Sequence, residues 1–134
     1  MNDKCDKEAK MSLTPNSPPE SELIYKICPA ILWHHAEAEG QFTGAGIDLA
    51  DGYIHFSSGS QVAQTARLHF AGQDDLMLIA VNPANIDVVW EASRGGQLFP
   101  HLYEPLPMTA VAWAVDLPRN AEGVHVFPDG ISVI

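Results

Sequence analysis

Permanent positive charge is scarce in this chain: seven Lys and Arg stand against seventeen Asp and Glu, for a formal net charge of −10. Lys4, Lys7 and Lys10 are balanced by Asp3, Asp6 and Glu8, and after Pro19 only Lys26, Arg67, Arg94 and Arg119 remain. A surface that neutralises many phosphates needs more cations than that, so nucleic acid is not expected as a partner; a basic or small-molecule partner fits better. Cysteine is almost missing too. Cys5 lies in a polar tail and Cys28 at the end of a predicted strand, and no bridge between them is expected. None is needed, because a 134-residue chain can bury roughly two-thirds of its unfolded surface in one domain. Long apolar runs are absent: residues 76–81 and 110–115 are far shorter than the ~20 residues of a membrane span. Residues 1–19 have no apolar centre of the kind a secretory signal carries, so a soluble, cytoplasmic protein away from membranes is expected.

Familiar nucleotide and hydrolase motifs are missing as well. Gly44-Ala45-Gly46 lacks the third glycine and the strand-to-helix setting of a dinucleotide fingerprint, and there is neither a phosphate loop nor a Gly-x-Ser-x-Gly elbow. His34 and His35 are neighbours that point apart on a helix, and no metal site is expected.

What is present is the composition of a folded domain, 46% hydrophobic and 18% charged. Residues 1–21 mix charge, Ser, Thr, Asn and proline and read as a disordered leader, leaving 22–134 as a single domain. Residues 23–28 favour a strand, and Pro29 suits the first turn of a helix reaching about Gly40. A Gly-containing loop over 43–52 then leads to a strand over 53–57. A second helix starts near Gln61 with Ser60 as N-cap and turns Val62, Ala66, His69 and Phe70 inward, so that His69 reads more readily as a core residue than as a ligand. Residues 76–81 predict a strand buried on both faces, followed by strands near 87–91, 98–103 and 109–115. The last of these alternates Val111, Trp113 and Val115 with alanines, as if a large face filled a core. The expectation is an α+β domain with two short helices and antiparallel strands.

Two stretches hold the unusual chemistry. Alternation over 53–57 puts Tyr53, His55 and Ser57 on one strand face, and over 98–103 it sets Phe99, His101 and Tyr103 apart from Leu98, Pro100 and Leu102. Two histidines, a serine and two tyrosines could thus line one cleft. His55 and His101 each read either as a ligand donor and acid or base, or as a half-buried imidazole satisfied by its surroundings. Glu91 reads as a cation-stabilising carboxylate or as an exposed strand end. Arg94, beside Gly95 and Gly96, reads as a phosphate ligand or a solvated turn residue, and Lys26 as a ligand cation or an edge-strand charge.

The succession Leu23-Ile24-Tyr25-Lys26-Ile27, Asp51-Gly52-Tyr53-Ile54-His55-Phe56-Ser57, Trp90-Glu91 and Phe99-Pro100-His101-Leu102-Tyr103-Glu104-Pro105-Leu106 resembles the family of domain of unknown function 952 over about residues 23–116. That resemblance implies a compact relative of the ADP-ribosyltransferase fold, with a split antiparallel sheet and a cleft for NAD. It further implies NAD as a substrate rather than a tightly bound cofactor. The catalytic positions would be His55, Glu91 and His101, and the nucleotide-binding positions Lys26, Tyr53, Ser57, Arg94 and Tyr103. Lys26 stands where many members carry His, and the Glu-x-Glu pair of arginine-modifying transferases is missing. A non-catalytic ligand-binding or protein-interaction module is the main alternative, and RNA 2′-phosphotransfer comes third.

Overall fold

The computed structural model describes residues 23–129 and Ile131, apart from the side chain of Arg94. The leader expected over 1–21 lies outside the described residues. Residues 24–28 alternate between two buried faces, and the hydrogen-bond ladder follows. Strand β1 (Ile24–Pro29) runs antiparallel to β5 (Leu76–Val81), with Lys26 opposite Ile79. β9 (Val111–Asp116) flanks β5, and β4 (Ser57–Ser58) flanks β1, giving the order β4-β1-β5-β9. A second antiparallel sheet has the order β3-β7-β6, from β3 (Ile54–His55), β7 (Leu98–Leu102) and β6 (Val88–Ala92). β2 (Gln41–Phe42) and β8 (Leu106–Pro107) form a short pair. The α+β expectation and its antiparallel strands hold.

The stretch predicted as one strand over 53–57 belongs to two sheets. Ile54 and His55 pair with Leu102 and His101 of β7, whereas Ser57 and Ser58 pair with Tyr25 and Ile24 of β1. Between them the Phe56 amide donates to the Pro100 carbonyl at 2.9 Å. Burial alternates as far as Phe56, with Ile54 and Phe56 buried and Tyr53 and His55 half-buried, but Ser57, beyond the crossing, is buried as well.

Among the described residues there are three α-helices, not two. α1 (Ala30–Glu39) begins one residue after Pro29, and α3 (Val62–His69) follows Gln61 rather than a Ser60 cap. The addition is α2 (Ile47–Asp51), which occupies the predicted 43–52 loop. It was hidden because its Ile47 and Leu49 are exposed, at 65% and 67%, so its apolar pattern runs opposite to that of an inward-packed helix.

β5 divides two cores, burying both faces as predicted. Met77, Ile79 and Val81 pack with Ile24, Cys28, Trp33, Phe42, Ile54 and Leu102, and Leu76, Leu78 and Ala80 with Tyr25, Ile27, Val62 and Ala66. Three sequence expectations fail here. A register shift at Ala80/Val81 sends Val111 to the first core and Trp113 to the second, so β9 has no single large face. His69 is exposed at the last turn of α3. Lys26 is not on an edge strand, because β1 lies between β4 and β5. Among the described residues no helix is long and apolar enough to cross a membrane.

Candidate functional site

Lys26 shares a strand face with Ile24 and Cys28 and is only 8% exposed, so its ammonium needs a buried partner. That partner is Asp48, 2% exposed, whose Oδ2 lies 2.7 Å from Lys26 Nζ. The same carboxylate accepts the Ala45 amide at 2.9 Å and the His55 amide at 3.1 Å, and His55 Nδ1 donates to it at 2.6 Å. Burial alone would raise the Asp48 pKa, but the bond from His55 and the charge and bond of Lys26 outweigh it and hold the carboxyl below the usual range. Asp48 and Asp51 are residues of the candidate site that sequence reasoning missed; the first of them is the buried one. The one signal for Asp48 was an acid between two aliphatic residues, Ile47 and Leu49, just before the aromatic strand.

His55 Nε2 lies 3.0 Å from Asp51 Oδ2. An imidazole can donate to both carboxylates only when both of its nitrogens carry protons. Across the ladder His101 mirrors this arrangement: its Nδ1 donates to Glu91 Oε1 at 2.7 Å, and Tyr103 Oη donates to the same oxygen at 2.6 Å. The bond from Tyr103, then that from His101, lowers the Glu91 pKa, while the bond to Glu91 pushes the Tyr103 phenol up to about 12.

The Tyr53 ring joins the two histidines. Its centroid is 4.5 Å from His55, 4.3 Å from His101 and 4.9 Å from Tyr103, and the two imidazoles are 5.3 Å apart. Such distances are those of packed aromatic pairs. Tyr53, His55, Ser57, His101 and Lys26, together with Asp51, line one cleft of about 780 Å³. Tyr103 instead lines a second cavity of about 200 Å³, which shares Tyr53. Glu91 lines neither and reaches the cleft through His101.

Ser57 is buried, and its hydroxyl lies 2.9 Å from Thr65 Oγ1. Because Thr65 donates to the Gln61 carbonyl at 3.2 Å, Ser57 is the donor to Thr65. Gln61 accepts the Ser58 amide and donates to the Leu98 carbonyl, fastening the start of α3 to both sheets. Arg94 sits in the turn between β6 and β7, next to the cleft residue Ser93, and its side chain lies outside the described residues. Among the described residues no group of three or more His, Cys, Asp or Glu is placed to hold a metal ion.

A family profile described as protein of unknown function (DUF952) matches residues 27–114. The chain is similar to the crystal structure of protein CC0527 from Caulobacter crescentus, with 49% identity, 78% of this chain and 93% of that one covered, and a TM-score of 0.73. A double mutant of the same protein gives the same identity and coverage with a TM-score of 0.72. Its solution NMR structure matches at 49% identity and a TM-score of 0.69, over 76% of this chain and 90% of that one. No curated protein matches.

Proposed function

The chain belongs to the DUF952 family of proteins of unknown function, and from that premise we propose that its cleft, on a fold of the ADP-ribosyltransferase kind, binds NAD or a related small nucleotide. The observation that carries this reading is the Tyr53 ring packed against both His55 and His101 on the wall of a cleft of about 780 Å³. Ligand pockets combine this size with an aromatic lining and a few convergent polar groups. A flat ring stacks on Tyr53, and the Nε2 edge of His101, whose Nδ1 is held by Glu91, orients the ribose. Stacking of a base on an aromatic side chain contributes about 1–3 kcal/mol. Replacing Tyr53 with Ala therefore weakens binding by about tenfold or more, read by calorimetric titration against NAD, ADP-ribose and nicotinamide. No heat of binding at millimolar ligand, with the protein folded, would overturn the reading.

A second reading, binding without transfer, has its own support. Breaking the nicotinamide–ribose bond calls for a carboxylate against the ribose as positive charge develops there. Glu91 instead commits one oxygen to His101 and Tyr103 and does not line the cleft. Loss of nicotinamide from bound NAD, followed by chromatography, separates the two readings: release that disappears in Glu91→Gln supports the enzyme, and stable binding without release supports the module. RNA 2′-phosphotransfer is disfavoured by the excess of acidic residues and by the pairing of Lys26 with Asp48.

A further inference from the structure

The charges on the cleft wall treat the two parts of a nucleotide differently. Lys26 is held by Asp48, His55 by Asp48 and Asp51, and His101 by Glu91, so each of these cationic or protonatable groups already faces a carboxylate. A phosphate drawn to any of these three must displace a carboxylate from its partner, inside a protein of net charge −10. A ring and its sugar meet different surroundings. Tyr25, Phe56, Phe70 and Phe99 line the cleft along with Tyr53. Asp51, with its side chain 38% exposed, lines it too and favours positive charge over the Tyr53 face.

Resting on the nucleotide reading of this cleft, we propose that the part recognised is the nucleoside, a flat ring on its ribose, favoured when the ring is cationic. A 5′-phosphate weakens binding, and Asp51 is the residue that sets this preference. His69 lines the same cleft from α3 and, as a further imidazole on that lining, forms part of the test.

The experiment is calorimetric titration of the full chain with nicotinamide riboside, nicotinamide mononucleotide, adenosine and adenosine monophosphate, at low and raised ionic strength. Each nucleoside should bind about five- to tenfold more tightly than its monophosphate at low salt, with nicotinamide riboside ahead of adenosine. The gap should shrink at raised salt and in Asp51→Asn, and persist in His69→Gln. Monophosphates binding as tightly as nucleosides or more so, a gap indifferent to Asp51→Asn, or a gap that moves with His69→Gln would each overturn the inference. Tighter binding of the monophosphates would do so while leaving the nucleotide reading intact. If none of the four binds to a normally melting protein, the nucleotide reading falls, and the inference with it.

Discussion

Asp48 holds the polar wall together, because one fully enclosed carboxylate meets Lys26, the His55 ring and two backbone amides. Removing it leaves a nearly buried ammonium without its counter-charge, so Asp48→Ala should cost about 3 kcal/mol or more in chemical denaturation. The double change Lys26→Met with Asp48→Leu should recover much of that loss, since the unpaired charge is gone. The depressed pKa of Asp48 fixes the sign of its pH dependence. Its contribution is complete above the ordinary aspartate value near 3.8 and is lost as pH falls below that through the lower folded value. The acid limb of the melting curve should therefore be shallower in Asp48→Asn than in the wild type. Tyr103 offers a spectroscopic check on the opposite strand: its phenol should titrate near 12 and fall back toward 10 in Glu91→Gln, as read by ultraviolet absorbance. Of these residues, Tyr53, His55, His101 and Tyr103 were legible from period-two alternation alone. Asp48 was not, since its position between Ile47 and Leu49 does not say which of the three side chains turns inward, nor that Lys26 waits for it.

Lys26 on β1, Asp48 on α2, His55 on β3 and His101 on β7 converge on the site, and the sequence signalled their elements unequally. β1, β5 and β7 were legible because their branched and aromatic runs have strand length. The crossing of residues 54–58 between sheets was not, because alternation stays the same whichever sheet the strand joins. Five-residue α2 was hidden by its inverted pattern, and the buried bonds of Asp48 together with backbone geometry hold it. Gly44, at φ +120°, lies so close that an added Cβ would meet Asp48 Cβ at 2.9 Å. Gly52, at φ +84°, closes the helix with open space around it. Gly52→Ala should cost about 1 kcal/mol from its left-handed backbone alone, whereas Gly44→Ala should cost more and also weaken ligand binding, by pushing on Asp48. Equal losses in stability with unchanged binding would show that the close approach to α2 does not matter. On β1, burial pushes the Cys28 thiol up to about 12, aided by Asp48 and opposed by Lys26. Thiol reagents at pH about 8 should modify Cys28 only as the domain opens, a rate that mass mapping can follow.

At the scale of the whole molecule, two sheets meet along a strand that belongs to both, and the cleft opens beside that crossing. The first core fastens β3 and β7 to β1 and β5, while Gln61 ties the start of α3 to each sheet, so the aromatic wall is fixed by the fold rather than by a loop. The acidic surface adds a long-range field that favours a neutral or cationic ligand group. The central claim is that Tyr53, His55 and His101 form the wall against which a nucleotide ring lies. The most direct test follows the side-chain NMR signals of these three residues in the full-length protein as NAD is added. The account predicts saturable shifts concentrated on the Tyr53, His55 and His101 rings, with the His55 and His101 shifts of Tyr53→Ala saturating only at about tenfold higher NAD or more; shifts confined to other surfaces, or no shifts at millimolar NAD, would contradict it.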